Sequence, residues 1–168
     1  DYEPSLIRRM MIGREIQGNY YRDDFDGYDD EVVLKADCIT TMEDLLCFDL
    51  ELHKGEILGI GGLSQCGMHT VGRALFGLEK LVDGKVTLKD GTRINNTRTA
   101  INNRMGYVSK NRDTESLGLS ASIMENIAST GYRINRWKGP GPLISSRKEK
   151  QYVDEQVKEL SIKCASKY

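Results

Sequence analysis

Residues 45–56 alternate between apolar and polar, placing Phe48, Leu50 and Leu52 on one face and Asp49, Glu51 and His53 on the other. That period of two predicts a half-buried strand. Residues 31–40 are apolar and partly alternating, so the pair predicts an antiparallel layer. A short apolar run at 57–60 then meets glycines and passes into a helical pattern over 70–76, stopped by Gly77. We read it as a buried strand, a loop and a helix. Residues 84–94 predict a hairpin on Asp90 and Gly91, the dipeptide that a type I′ turn favours. Residues 98–109 predict a short helix leading into a strand at 105–108.

Further along, residues 122–129 predict a helix, and 137–146 a loop rich in glycine and proline. The last helix has an expected capping box, Ser146 with Glu149, and an apolar stripe of Tyr152, Val153, Val157 and Leu160. At the other end, Leu6, Ile7, Met10 and Met11 have a helical spacing that ends near Gly13. Residues 20–31 are dense in acids and turn formers. Gly27 lies at the wrong offset for a calcium loop, so a solvated linker is expected there. No internal repeat is visible. Strand, loop and helix set among mixed strands imply an α/β or α+β fold.

A length of 168 residues suits one domain with a hydrophobic core. The formal net charge of −1 gives no overall pull toward nucleic acid or anionic lipid. No apolar stretch is long enough to span a bilayer, and the first residues lack the layout of a signal peptide. Work at a membrane would therefore go through a partner. The four cysteines, Cys38, Cys47, Cys66 and Cys164, form no C-x-x-C pair and read as reduced thiols, in preference to a disulfide or a zinc site.

The chemistry concentrates in "GLSQCGMHT": Gly62, Leu63, Ser64, Gln65, Cys66, Gly67, Met68, His69 and Thr70. A phosphate loop G-x-x-x-x-G-K-[S/T] binds its anion through backbone N–H groups at a helix N-terminus, which glycines allow to come close. Its lysine reaches the terminal phosphates and its hydroxyl holds magnesium. Gly62 and Gly67 keep the scaffold, whereas Met68 and His69 replace the lysine and the hydroxyl. Thr70 lies one residue, about 100°, further round the helix and should point elsewhere. Cys66 reads as a small residue in a tight turn rather than a redox thiol, and His69 as a helix-start residue rather than a metal ligand. No metal site is expected. Trp137, near Arg133 and Arg136, is either part of a contact surface or a loop aromatic packed locally.

These landmarks, in this order, resemble the second nucleotide-binding domain of the tandem ATPase subunits of bacterial monosaccharide importers of the ABC class. "LIRRMMIGRE" resembles the peptide joining the two ATPase halves, and "LHKGEILGIGGLSQCGMHTVGRALFG" the phosphate-loop region. "DGKVTLKDGTRI" resembles the following hairpin, "YVSKNRDTESLGLSASIMENI" the Q-loop region, and the helix into "LSIKCAS" the start of the helical subdomain. The resemblance implies an α/β P-loop NTPase fold in three parts: a linker over 1–31, the front of the ATPase core over 32–137, and the start of a helical subdomain over 138–168. It implies ATP with Mg²⁺ as the family's cofactor, and a permease subunit and a first ATPase half as partners. It also implies a cytoplasmic position at the inner face of the cell membrane, and no nucleic-acid partner. At the family's Q-loop Glu or Gln this chain has Lys110, while Arg112 matches the family's arginine. Near Ile39, where many ABC ATPases stack an aromatic on adenine, "DCITTMED" has none.

The family's signature motif, catalytic acidic strand and switch histidine lie beyond residue 168, so the resemblance implies a chain truncated before the signature. An unsatisfied sheet edge would then be paired in a homodimer or covered by the N-terminal segment. No catalytic residue is assigned, and little or no ATP hydrolysis is expected. Two other classes stay open: a non-catalytic interaction module without nucleotide binding, and a different small P-loop enzyme such as a nucleotide kinase.

Overall fold

The computed structural model describes residues 6, 7, 10, 11, 27–63, 65–134, 136–140, 143–164 and 166. Three strands, β1 (Val32–Thr40), β2 (Phe48–His53) and β3 (Asp83–Leu88), form an antiparallel sheet in the order β2-β1-β3. The expected antiparallel layer is therefore present, and its register follows from the alternation. Leu34 lies between Leu52 and Leu88, and Ala36 between Leu50 and Val86. These rows make one apolar face. On the opposite face Lys35 lies between Glu51 and Thr87, and its ammonium pairs with the Glu51 carboxylate at 2.8 Å. A slip of one residue would turn the leucines to water, so burial fixes this register.

Helix α1 (Met68–Leu75) covers the apolar face with Val71 and Ala74, joined in one core by Ile39, Leu45, Ile94 and Ala100. Phe76 caps α1, and Gly77 follows at φ 75, where the sequence placed the stop. Helix α2 (Thr97–Asn102) starts at Asn96, whose side chain accepts from the Thr99 N–H at 3.0 Å. After the one-turn helix α3 (Arg112–Glu115), helices α4 (Ile123–Arg133) and α5 (Ser146–Glu159) build a second cluster. There Ala128, Trp137 and Val153 are buried, with Met124, Ile127, Tyr152 and Val157 against them. The Trp137 indole N–H donates to the Ala128 carbonyl at 3.0 Å. Local packing is thus the role of Trp137.

Several local expectations are corrected. Residues 57–60 form no strand: Ile57, Leu58 and Ile60 are exposed. Residues 105–108 form none either, and Val108 is exposed while the Tyr107 ring stacks on Phe76 at 5.5 Å. A strand needs a neighbour for its N–H and C=O groups, and the three-stranded sheet reaches neither segment. The hairpin forms, but its loop is Lys89, Asp90 and Gly91 rather than a two-residue type I′ turn. The Gly91 N–H donates to Leu88 (2.8 Å), the Leu88 N–H donates to Thr92 (2.9 Å), and only Gly91 takes a positive φ, of 83°. Asp90 uses its carboxylate to accept from the Thr92 N–H at 2.9 Å, which keeps it in the ordinary region.

The start of α5 also differs. Ser145, not Ser146, is the N-cap, and Glu149 turns inward to accept a hydrogen bond from the Tyr132 hydroxyl. The capping box found in the structure is at α4, where Ser122 and Glu125 satisfy each other's backbone N–H groups. Leu160, placed on the apolar stripe, is exposed. The reduced state expected of all four cysteines is overturned as well: Cys38 and Cys47 form a disulfide, and only Cys66 and Cys164 are free among the described residues. Both free thiols are exposed. At the N-terminus, Leu6, Ile7, Met10 and Met11 are helical; the rest of that segment and residues 20–26 of the acidic linker lie outside the described residues.

Candidate functional site

The phosphate-loop segment closes on α1 through Gly67, which caps the helix at φ 81 with no side-chain cap and no acid in the first turn. Helix N-termini carry N–H groups without intrahelical partners, together with the positive end of the helix dipole. The first turn itself contains no acidic residue, and the nearby carboxylate is that of Asp44. Gly67 is buried, and a Cβ there would stand 3.0 Å from the Asp44 Cβ and 3.2 Å from Leu45 Cδ2. Glycine is required twice over, by the left-handed backbone and by the approach of residues 44–45. Gln65 also takes a left-handed φ of 68°, and the Cys66 N–H donates to the Leu63 carbonyl at 3.2 Å. Cys66 packs its sulfur on Gly62, so a side chain at that glycine would have to displace the thiol. Ser64 lies outside the described residues.

Of the side chains after the loop, Met68 is half-buried, His69 is exposed and Thr70 is half-buried. The Thr70 hydroxyl donates to Asp44 Oδ2 at 2.5 Å. The only hydroxyl on this turn is therefore committed to a carboxylate behind the loop, as the helical offset implied. A hard magnesium ion takes oxygen ligands. A thioether at 68, an imidazole at 69 and an engaged hydroxyl at 70 do not supply the ligand that the phosphate-loop pattern provides, so these residues do not fit the ion in that manner. Among the described residues no cluster of three or more His, Cys, Asp or Glu side chains could hold a metal.

The segment carrying Lys110 and Arg112 meets the same helix through Glu115 rather than through those two residues. Lys110 is exposed in a turn, and Arg112 opens α3 with its guanidinium largely in solvent, 3.7 Å from Asp113. The link that joins this segment to α1 is Arg73, whose guanidinium bonds Glu115 of α3 at 3.3 Å and Glu79 at 3.4 Å. Ser109 is buried and shares a 2.7 Å hydrogen bond with Ser116, closing the turn that presents Lys110. Asn126 then holds residues 118–122 through bonds to the Gly118 N–H (2.9 Å) and the Ser122 carbonyl (2.9 Å). Asp44 and Arg73 are the site-neighbouring residues that sequence reasoning missed. Asp44 is 26 positions before its partner, and Arg73 is 42 before Glu115. Neither pairing has a local signal.

Two pKa shifts fall on α4. The Glu125 carboxyl lies below its usual range because the Ser122 N–H and hydroxyl both donate to it. The Tyr132 phenol is pushed up to about 12, first by its bond to Glu149 and then by burial.

A left-handed glycine opening a helix beside an antiparallel sheet is consistent with part of an ABC-type P-loop NTPase domain, the class that the family comparison assigns. The ABC transporter family model matches residues 45–167, and the chain belongs to that family. It is 34% identical over 163 residues to the ribose import ATP-binding protein RbsA of Bacillus subtilis, covering 95% of this chain and 32% of that protein. It is 28% identical over 169 residues to the protein of the same name from Clostridium perfringens, covering 99% and 33%. The chain thus spans about a third of the length of the curated relatives it matches. Among the described residues no helix is long and apolar enough to cross a membrane.

Proposed function

We propose that this chain is the nucleotide-site region of an ATP-binding subunit of a monosaccharide importer, with a phosphate loop that cradles phosphate through its backbone and does little or no hydrolysis. The observation that carries this is the loop. Its cap at Gly67 leaves the first-turn N–H groups of α1 to an anion, while Met68 and His69 remove the lysine and the metal-binding hydroxyl. Losing one charge-assisted contact costs about 1.5–3 kcal/mol, roughly ten- to a hundredfold in affinity. Occupancy then survives where turnover does not. Support for the importer assignment comes from relatives named as ribose import ATP-binding proteins, matched over nearly the whole of this chain.

In this reading the chain belongs to the second of two ATPase halves, the first holding the competent loop. Residues 110–126 dock a permease that keeps the subunit at the inner face of the cell membrane. Lys110, a cation where a metal-contacting carboxylate or amide would stand, opposes magnesium and favours phosphate. The test is calorimetric titration of the 168-residue chain with ATP, beside Gly67→Val, with phosphate release followed in parallel. Weak binding lost in the variant, with no phosphate released, is the expected result. Absence of heat up to millimolar ATP, in a chain folded by circular dichroism, would overturn it and leave a packing and interaction module. Turnover by this chain would overturn the loss of hydrolysis.

A further inference from the structure

The loop joining β1 to β2, residues 41–47, is fastened at its base and braced at its tip. At the base, Cys38 is bonded to Cys47. Both residues take left-handed backbones, φ 44 and φ 48, which side chains rarely adopt without a constraint. β1 shifts register against both neighbours here, between Ala36 and Ile39 toward β2 and between Asp37 and Thr40 toward β3. Inside the loop, Thr41 Oγ1 accepts from the Leu45 N–H at 3.1 Å and the Thr41 N–H donates to the Leu45 carbonyl at 3.0 Å. At the tip, Asp44 accepts from the Thr70 hydroxyl, and residues 44–45 stand against Gly67. The same loop thus connects a disulfide to the helix cap of the candidate phosphate site.

From this juxtaposition we infer that Cys38 and Cys47 form a reversible thiol–disulfide site, whose oxidation holds residues 41–45 against Gly67 and Thr70 and whose reduction loosens the phosphate loop. Cys47 is exposed and Cys38 half-buried, so a reductant reaches the Cys47 sulfur. A thiolate of a dithiol attacks that sulfur, the Cys38–Cys47 bond breaks, and Cys38 leaves as a thiolate that takes a proton. The second thiol of the reductant resolves the mixed disulfide. The reductant ends as a disulfide, and Cys47 is freed as a thiol: two electrons and two protons have moved onto the pair. A disulfide such as oxidised glutathione reverses the exchange. In a compartment kept reduced by thiols, an exposed disulfide of this kind is a transient, sensing one rather than a staple.

The consequence for nucleotide rests on reading residues 62–70 as an anion cradle, but the bond and its mechanical effect do not. The test is therefore made without nucleotide. The 168-residue chain is equilibrated with oxidised glutathione or with dithiothreitol, alkylated, weighed and digested, and amide hydrogen exchange is followed in both states. We expect Cys38 and Cys47 to resist alkylation only in the oxidised chain. On reduction, exchange should speed about tenfold at Thr41, Leu45 and Val71, whose N–H groups are bonded in the loop and the first turn of α1. Amides 126–133 of α4 should stay unchanged. Cys47→Ser should match the reduced chain in either buffer, and the untouched wild-type sequence carries the test if that variant fails to fold. Full alkylation after oxidation would overturn the site. So would a Val71 rate blind to redox state, or an equal acceleration throughout the chain, which would mark general destabilisation.

Discussion

Trp137 offers the sharpest test of the second cluster. It is the sole tryptophan, 3% exposed, lying 5.0 Å from the Tyr152 ring and bonded to the Ala128 carbonyl. It packs so closely on α4 that a Cβ added to Gly131 would overlap the indole. Arg136 lies over both the Trp137 and the Tyr152 rings, at 5.7 and 4.5 Å. Replacing a buried tryptophan by alanine costs about 3–5 kcal/mol, a large fraction of the roughly 5–15 kcal/mol that holds a domain folded. Trp137→Phe keeps most of the apolar contact but loses the N–H bond and some volume, for about 1–2 kcal/mol. The assay is urea unfolding followed by circular dichroism, with wild-type tryptophan emission reporting the same cluster. The expected order of stability is wild type, then Trp137→Phe, then Trp137→Ala, with blue-shifted emission in the folded wild type. A Trp137→Ala chain within about 0.5 kcal/mol of wild type would refute this packing, because that is the range of substitutions on an exposed surface.

Three further outcomes follow from the same structure. Met68→Lys with His69→Ser restores the pattern's cation and hydroxyl, and should tighten ATP binding about ten- to a hundredfold in calorimetry; no gain would mean that the loop backbone does not present the anion to position 68. Stability should fall as pH rises from about 10 through 12, because the unfolded Tyr132 phenol ionises at its ordinary value while the folded one, raised to about 12, keeps its proton. Tyr132→Phe should reduce that alkaline slope in thermal melts, leaving the part owed to Lys35, whose pairing with Glu51 and Asp37 also raises its pKa, and a slope unchanged in the variant would assign it to other groups. Ser122→Ala breaks the capping box of α4 and should cost about 0.5–2 kcal/mol. It should also raise the Glu125 carboxyl part of the way toward its usual range, as read by NMR titration, because the N–H of residue 122 still donates to it; a carboxyl that did not move would show that the Ser122 hydroxyl is not a cause.

Much of the fold was legible because burial on one face leaves a periodic trace. The alternation of Phe48, Leu50 and Leu52 gave β2 and its facing, and the Leu34 and Ala36 rows complete the same surface. Gly77 and Gly91 marked a helix end and a hairpin through the conformations only glycine adopts cheaply. What failed was of two kinds. Residues 57–60 and 105–108 have the composition of buried strands, but a strand also needs a partner, and composition carries no information about which partner is present. The capping serine of α5 missed by one position because Glu149, the residue that suggested a box, is drawn inward by Tyr132. Cys38 and Cys47 carry no spacing rule; only the register of β1 against β2 brings them together. At the candidate site, the loss of lysine and hydroxyl was readable outright, whereas the Asp44 brace and the Arg73 link are products of tertiary packing.

The most direct measurement compares ATP binding to the 168-residue chain in excess magnesium and in chelator. A backbone cradle without a metal-binding hydroxyl should give dissociation constants agreeing within about threefold, a difference under 1 kcal/mol. Magnesium that tightened binding tenfold or more would show that the ion is held at the loop after all, and would contradict the cradle without its metal.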